Sequence, residues 1–384
     1  MLFLNINNFM TDQPFCVLPW FHQVVKTNGE VKPCCVWKND ISGYDVATFF
    51  NGEFMNELRE SFKNNIPHTE CKHCLYVEKM GNASYRKRGF IKAKELNVST
   101  NDLPKLLSQE VRLSNLCNLK CRMCNQHSST KWITDEIAMG HKSIGLLESN
   151  WSLSDEQVNS IEMLTFTGGE PMLHQDIICR ELTKLKVTNN LYKLRLVFNT
   201  NMTVLLSDEL IELIKLTNKT SICCSIDGFK TVNEYIRSDT IWTDVENVIN
   251  QLHYISCEYN NVLLSINMVL NVFNAGNFTE LISWTSQYTK KFAISLQFNP
   301  VFQDARNLPN YYKNELIKQY QIDIENNLQW KSKYKMLIKH LKSEPTLEFN
   351  LWKETLRSHN DFLDMRRNTK LSNILPELDA LIRE

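Results

Sequence analysis

Residues 111–130 read VRLSNLCNLKCRMCNQHSST and place Cys117, Cys121 and Cys124 directly after a strand-like stretch. A structural zinc site has four ligands, and a closed iron–sulfur cluster has four thiolates. Three thiolates therefore indicate either a cluster that leaves one iron open to an outside ligand, or a zinc site that His127 completes.

A second motif follows the next apolar stretch, in MLTFTGGEPMLH at residues 163–174. Gly168 and Gly169 let the backbone approach a ligand or adopt a positive φ, and Glu170 places a carboxylate or a backbone carbonyl beside them. Ligands of α/β folds bind outside the carboxyl ends of the strands. The cysteine loop and this turn are therefore predicted to be neighbours at that end of the sheet.

The stretches around these motifs alternate between strand-like and helical patterns. SDEQVNSIEM begins with a capping box of Ser154 and Gln157, and helical spacing recurs in LLSDELIELIKLT and TDVENVINQLHYI. Such alternation predicts βαβ units and a parallel sheet. Six strands suit an open or partial barrel, because a closed barrel of this kind needs eight. The predicted strands are 109–114, 162–167, 193–199, 220–226, 262–270 and 292–298.

With both motifs in place, residues 108–300 resemble the radical S-adenosylmethionine (radical SAM) superfamily. The resemblance implies that Cys117, Cys121 and Cys124 hold a [4Fe–4S] cluster whose fourth iron is chelated by SAM. One electron then cleaves SAM to methionine and a 5′-deoxyadenosyl radical, which abstracts hydrogen from a substrate. It also implies that Gly168, Gly169 and Glu170 hold the methionyl amine, and that the fold is a partial (βα)6 TIM-like barrel.

The same resemblance assigns further cofactor-binding residues. Ser225 and Asp227 in SIDG are expected near the SAM carboxylate or ribose, and Arg237 in EYIRSDTIW is expected at the carboxylate. Met123 stands where the family more often has an aromatic residue over the adenine. Asn199 ends the third predicted strand with Asn201 close behind, and ordinary turn chemistry explains this pair equally well.

Five more cysteines lie in the first 105 residues. The spacing of Cys16, Cys34, Cys71 and Cys74 is similar to that of twitch/SPASM domains, which implies one auxiliary [4Fe–4S] cluster with Cys35 as a reserve ligand. Such domains usually follow the radical core, whereas this one precedes it. A four-cysteine zinc ribbon is the alternative, because paired cysteines suit tetrahedral zinc as well. Glu78, Ser84 and Arg86 are expected to orient this region or to form a solvated helix face.

The expected organisation has three parts. A small cysteine-rich cluster domain covers 1–105, the radical SAM barrel covers 106–304, and a helical C-terminal region covers 305–384. Strand alternation makes Arg112, Ser114, Asn267, Gln297 and Asn299 candidates for the substrate cavity. The remaining cysteines, Cys179, Cys223, Cys224 and Cys257, are expected to be structural.

Composition sets the remaining expectations. Lys+Arg and Asp+Glu both total 43, so no net charge favours nucleic acid or a membrane surface. No long apolar run predicts a membrane span, and a cytoplasmic location is expected. The predicted partners are a peptide or small-molecule substrate and an electron donor such as flavodoxin or ferredoxin. The alternative functions are a radical SAM enzyme acting on a small molecule or nucleotide, a zinc-binding interaction module, and a non-catalytic iron–sulfur or SAM-binding protein.

Overall fold

The computed structural model describes residues 14–79, 83–297 and 299–384. Within them the strands are β1 (His22–Val25), β2 (Val31–Lys32), β3 (Ser108–Arg112), β4 (Met163–Thr167), β5 (Arg195–Thr200), β6 (Lys219–Ser225), β7 (Val262–Leu270) and β8 (Phe292–Leu296). Their order in the sheet is β2-β1-β3-β4-β5-β6-β7-β8. The six predicted strands correspond to β3–β8, so the α/β expectation is confirmed.

The first two strands were not predicted. β1 pairs in parallel with β3, in a register that sets His22 beside Ser108, and β2 pairs antiparallel with β1. β1 is only four residues long and all four are buried, so it shows no alternation that a sequence pattern could reveal. β7, in contrast, buries every second residue over nine positions.

Helices follow most of the strands and fill the C-terminal region. Ser154 and Gln157 form the predicted capping box at the start of the fifth helix. The helices of the described residues are α1 (Glu53–Lys63), α2 (Lys72–Lys79), α3 (Tyr85–Glu95), α4 (Ile133–Ala138), α5 (Asp155–Ser160), α6 (Gln175–Val187), α7 (Asp208–Ile214), α8 (Thr231–Ile236), α9 (Trp242–Glu258), α10 (Phe278–Thr285), α11 (Asn310–Asn326), α12 (Lys331–Leu341), α13 (Phe349–Arg367), α14 (Leu371–Ile374) and α15 (Pro376–Arg383). None of the helices in the described ranges is both long and apolar enough to cross a bilayer.

The chain divides into two compact units. The first runs to Leu116 and also includes Leu146–Asn199 and Leu206–Ser221. The second comprises Cys117–Gly145, Thr200–Leu205 and Ile222–Glu384. The N-terminal cysteines and the Gly-Gly-Glu-Pro turn therefore belong to the first unit, and the three-cysteine loop and the C-terminal helices belong to the second. The predicted boundaries near residues 105 and 304 stay predictions.

Candidate cluster and cofactor sites

The three-cysteine loop lies between β3 and α4 and has little regular secondary structure. Cys117, Cys121 and Cys124 are all partly buried free thiols. Burial raises the pKa of Cys121, although nearby Arg237 opposes the shift, and burial raises the pKa of Cys124 to about 11. Burial therefore favours the neutral thiols of Cys121 and Cys124, and a bound cation would favour the thiolates, which are the forms that bind metal.

Arg237 and Asp227 form a buried ion pair beside this loop. The Nη2 of Arg237 lies 2.8 Å from the Oδ2 of Asp227, and its Nη1 lies 3.9 Å from the Sγ of Cys121. Asp227 is fully buried and accepts a 2.7 Å hydrogen bond from the backbone N–H of Val269. The Nε of Arg237 is also buried but has no hydrogen-bond partner among the described residues. An arginine with a free donor beside Cys121 suits a carboxylate ligand.

The pKa values of this pair reflect burial and pairing together. Burial raises the pKa of the Asp227 carboxyl, and Arg237 offsets part of that shift. Burial alone would lower the pKa of Arg237, but Asp227 and Cys121 outweigh it and raise the value. The guanidinium therefore remains a permanent cation next to the loop.

Asn201 reaches the first cysteine of the loop. Its Nδ2 lies 3.7 Å from the Sγ of Cys117 and 2.9 Å from the Oδ1 of Asn118. Its Oδ1 accepts from the backbone N–H of Thr203 at 3.1 Å, which fixes the orientation of the amide. Asn201 is thus engaged on both sides, and the turn chemistry considered for it also operates.

The remaining predicted cofactor-binding residues are more exposed than Asp227 and Arg237. Met123 and Ser225 are half-buried, and Asn199 is exposed. Asn199 lines a cavity of the first unit together with Arg112, one of the predicted substrate residues. Ser114, another of that group, donates to or accepts from the Nε2 of His174 at 2.6 Å and accepts from the N–H of Leu116.

The other predicted substrate residues lie in the second unit. Asn267 accepts a 2.9 Å hydrogen bond from the hydroxyl of Ser295, and Gln297 donates to the carbonyl of Asn299. Gln297 is nearly fully buried. Their assignment to a substrate cavity stays a prediction.

Both glycines of the Gly-Gly-Glu-Pro turn are required by close backbone packing. Gly168 has a φ of +117°, and a Cβ there would lie 2.9 Å from the carbonyl oxygen of Ser114. A Cβ on Gly169 would lie 2.0 Å from the carbonyl oxygen of Leu116. Any side chain would therefore displace the segment that runs directly into Cys117.

Hydrogen bonds hold the turn against the same segment. The N–H groups of Gly169 and Glu170 donate to the carbonyls of Ser114 and Leu116 at 3.0 and 2.9 Å. The Glu170 carboxylate accepts from the N–H of Met172 at 3.0 Å. The carbonyls of Gly168 and Gly169 accept no hydrogen bond from the part of the chain that the structure describes. They are therefore available to an ammonium group.

Arg122, between the second and third cysteines, anchors the loop within the second unit. The side chain is about 1% exposed and donates from Nε to the carbonyl of Tyr235 at 2.9 Å. Its Nη1 donates to the Oδ1 of Asn360 at 2.7 Å, and its Nη2 pairs with Asp364. Asn360 and Asp364 lie on α13, so a C-terminal helix fixes the cysteine loop.

Two further contacts to the loop were not predicted. Trp132 donates its indole N–H to the carbonyl of Cys121 at 2.8 Å, and Gln303 donates to the carbonyl of Arg122 at 2.9 Å. The sequence shows that Arg122 stands between Cys121 and Cys124, but it does not show that the side chain is buried. Its partners Asn360 and Asp364 are more than 230 positions away, and no local pattern indicates them.

The N-terminal cysteines form a second group, in the first unit. Burial raises the pKa of Cys16 to about 12, and the nearby Cys71 and Cys74 add to the shift. Burial also raises the pKa of Cys34, with Cys16, Cys35 and Cys74 as neighbours. Cys16, Cys34, Cys71 and Cys74 are called the N-terminal quartet from here on.

Cys35 faces different neighbours. Burial raises its pKa to about 12, with smaller effects from Glu110, Arg112, Arg88 and Tyr85. None of those residues is a cysteine, and Cys35 lines the same cavity as Arg112. Cys34 and Cys35 therefore have different neighbours: other cysteines surround Cys34, and the residues of the cavity surround Cys35.

Arg86 lies beside the N-terminal quartet. Its Nε donates to the Oε1 of Glu78 at 2.9 Å, its Nη2 pairs with the other Glu78 oxygen, and its Nη1 donates to the carbonyl of Phe15 at 2.7 Å. Ser84 also donates to Glu78. Cys16 and Cys74 are among the groups that raise the pKa of Arg86, although burial opposes them. The three residues expected to orient this region therefore form one network next to the thiols.

No three Cys, His, Asp or Glu side chains in the described ranges are gathered as a ready metal-binding group. His127, the proposed fourth ligand of a zinc site, is exposed, and its N–H donates to the Oδ1 of Asn125 at 3.0 Å. Thiols are nevertheless ligands of both iron–sulfur clusters and zinc, so the three-cysteine loop and the N-terminal cysteines have donor types that fit either group. In the first unit, the carbonyls of Gly168 and Gly169 suit an amine, and in the second unit the Nε of Arg237 suits a carboxylate.

The fold and this arrangement define a class of protein. Residues 111–283 match the Radical SAM superfamily. This segment is a radical SAM domain, and that family implies a [4Fe–4S] cluster and SAM. The twitch/SPASM resemblance of the N-terminal region stays a prediction.

Two solved structures are among those to which this chain is similar. anSMEcpe with bound AdoMet is 20% identical, with a TM-score of 0.40 over 58% of this chain and 61% of that one. Streptococcus suis SuiB bound to S-adenosylmethionine is 16% identical, with a TM-score of 0.38 over 73% of this chain and 59% of that one. The chain therefore spans about three fifths of the length of each structure. No curated protein matches the chain.

Proposed function

We propose that this protein cleaves S-adenosylmethionine reductively at a [4Fe–4S] cluster bound by Cys117, Cys121 and Cys124. The bound cluster and SAM supply a 5′-deoxyadenosyl radical that abstracts a hydrogen atom from the substrate. The observation that carries this proposal is the buried Arg237, whose Nε has no partner among the described residues although its guanidinium lies 3.9 Å from Cys121. A cation with a free donor beside an incomplete set of thiols fits a carboxylate-bearing cofactor.

The residues of this chain divide the task of holding SAM. Arg237 binds the methionyl carboxylate, and Asp227 keeps the guanidinium oriented through their ion pair. The carbonyls of Gly168 and Gly169 accept from the methionyl ammonium, since they accept no hydrogen bond from any described residue. Met123, Ser225 and Asn199 are assigned to the adenosine part by resemblance, and Asn201 supports the cysteine loop.

The N-terminal quartet holds an auxiliary [4Fe–4S] cluster in this proposal. Cys34 is the ligand rather than Cys35, because Cys34 has Cys16 and Cys74 as neighbours whereas Cys35 faces the cavity with Arg112. Four protein ligands leave no open iron, so this cluster transfers electrons or positions the substrate. Enzymes with similar cysteine domains often modify peptides, and a peptide or protein side chain is the proposed substrate.

The test is anaerobic reconstitution followed by incubation with SAM and a strong reductant. We expect about eight irons with matching sulfide per chain, because two [4Fe–4S] clusters are proposed, and release of 5′-deoxyadenosine. The variant Cys117→Ala should release none. Cys257→Ala is the matched control, since Cys257 is an exposed thiol on α9 and should leave both results unchanged.

Two outcomes contradict the proposal. Zinc without sulfide identifies a zinc-binding module, and iron-replete protein that never releases 5′-deoxyadenosine identifies a non-catalytic relative. Screening peptide pools against nucleotides and sugars as hydrogen donors, by transfer of deuterium into 5′-deoxyadenosine, separates the peptide from the small-molecule alternative.

A further inference from the structure

A cavity of about 490 Å³ lies over one face of β3 and β4 in the first unit. Glu110 and Arg112 of β3 line it, and they pair in register with Thr165 and Thr167 of β4, so all four side chains share that face. Its volume lies in the range of small-ligand sites. Gly168 lines it as well, so the cavity reaches the turn that we assign to the cofactor amine.

Helix α3 of the cysteine-rich N-terminal region also lines the cavity. Tyr85, Arg88 and Lys92 line the cavity, and their spacing of three and four residues places them on one helix face. The N-terminal region thus contributes side chains to the cavity as well as the cysteine quartet.

The lining is cationic. Arg88, Lys92 and Arg112 face a single carboxylate, Glu110, which leaves two positive charges in excess. Glu110 is already engaged by Arg112 at 3.2 Å and by the Tyr85 hydroxyl at 3.0 Å. Neither Arg88 nor Lys92 makes an ion pair or a side-chain hydrogen bond with any described residue. Burial lowers the pKa of the Lys92 ammonium more than nearby Glu110 raises it.

Three buried polar atoms of the lining residues also have no partner in the described ranges. They are the Nε of Arg112 and the hydroxyls of Thr165 and Thr167. Thr165 is only 7% exposed, so water does not readily satisfy it. Buried polar groups in native proteins are normally hydrogen-bonded, so unmatched ones that line a cavity indicate a ligand with acceptor atoms.

We infer that this cavity binds a carboxylate of the substrate, held by Arg88, Lys92 and Arg112 and by the two threonine hydroxyls. The inference rests on the proposed function, in which the substrate is a peptide, and it narrows that substrate to one with an acidic side chain or a free C-terminus close to the reacting residue. Arginine and threonine donors match the two oxygens of a carboxylate. The hydrogen bond from Arg112 to Glu110 orients the guanidinium.

Binding is measured by calorimetry on the reconstituted full chain with small probes. N-acetyl-glutamic acid α-amide represents an acidic side chain and N-acetyl-alanine represents a C-terminus. The neutral counterparts are N-acetyl-glutamine α-amide and N-acetyl-alanine amide, and inorganic phosphate is the third anion. We expect one of the two carboxylates to bind at least tenfold more tightly than its neutral counterpart, and which one it is identifies the source of the carboxylate.

The variant R88Q/K92Q should weaken that binding at least tenfold. Lys94→Gln is the matched control, because it removes one charge from the exposed side of the same helix and should change binding less than twofold. Equal binding of acids and amides overturns the inference, and so does equal loss in K94Q. Tighter binding of phosphate than of both carboxylates also overturns it in favour of a phosphorylated substrate.

The outcome is independent of the cofactor chemistry. The binding experiment needs no SAM, and SAM cleavage by the unmodified protein is measured separately without any probe. Absence of SAM cleavage together with selective carboxylate binding contradicts the proposed function alone. SAM cleavage without selective binding contradicts the carboxylate assignment alone.

Discussion

The two cysteine groups each have a buried arginine paired with a carboxylate, but the arginines differ in what remains free. Arg86, beside the N-terminal quartet, uses its donors on both oxygens of Glu78 and on the Phe15 carbonyl. Arg237, beside the three-cysteine loop, pairs with Asp227 but keeps a buried Nε without a partner among the described residues. Four thiols with an engaged arginine suit a closed cluster, whereas three thiols with a free donor suit an open one.

The largest expected effect is the loss of iron from one group without loss from the other. Cys16→Ala and Cys121→Ala should each remove about four of the about eight irons, because each group is proposed to hold one [4Fe–4S] cluster. Iron analysis with electron paramagnetic resonance of the reduced proteins checks this. Only the cluster that remains in C16A should change its spectrum when SAM is added.

Loss of all iron in either variant contradicts the division into two sites. A SAM-dependent spectrum in C121A would reverse the assignment of open and closed clusters. Cys257→Ala again serves as the control for removal of an exposed thiol.

The second-largest expected effect concerns Arg237, which pairs with Asp227 beside the three-cysteine loop. Arg237→Gln leaves the fully buried Asp227 without its counter-ion, and we expect the free energy of unfolding to fall by about 3–5 kcal/mol. The double variant R237Q/D227N removes the unpaired charge while keeping an Oδ1 acceptor for the Val269 N–H. It should recover most of the stability but not the affinity for SAM.

Urea unfolding and calorimetry with SAM separate these two roles. Recovery of both properties in the double variant would show that Arg237 serves only the fold. The double variant R86Q/E78Q tests the corresponding pair beside the N-terminal quartet. It should leave the affinity for SAM unchanged if the cluster proposed there has four protein ligands and no open iron.

The sequence predicts the parts of this molecule that depend on local pattern. Alternation and helical spacing identify β3–β8 and the capping box of Ser154, and two glycines after a strand identify the turn that excludes a Cβ. These features are local because periodicity and backbone freedom are set by neighbouring residues. They account for most of the sheet and for both motif segments.

Features that depend on distant contacts are not predictable in this way. β1 is too short to show alternation, and its pairing with β3 joins positions 86 residues apart, as between His22 and Ser108. The cysteine spacing favours Cys34 and keeps Cys35 in reserve, but the surroundings of each thiol depend on residues that are distant in the sequence. The partners of Arg122 come from α13, for which the sequence indicates only a helix.

The smallest of the expected effects concerns helix α13. It tests whether this helix anchors the three-cysteine loop but not the N-terminal quartet. Arg86 finds its partners within the N-terminal region, whereas Arg122 depends on Asp364, far along the chain. Asp364→Asn keeps the shape but removes the charge that faces a fully buried guanidinium, so unfolding should become easier by about 1.5–3 kcal/mol. Because Arg122 lies inside the cysteine loop, D364N should also release the SAM-dependent cluster to a chelator faster than the auxiliary one.

Asp361→Asn on the same helix is the matched control. Asp361 forms an exposed ion pair with Arg383 at 2.7 Å, and its loss should cost no more than about 1 kcal/mol. Iron release with ferrozine, followed in both variants, distinguishes local anchoring from general destabilisation. If D364N loses both clusters at the same rate, α13 stabilises the whole protein; if only the SAM-dependent cluster is released, α13 holds the open site in place because three thiols alone do not.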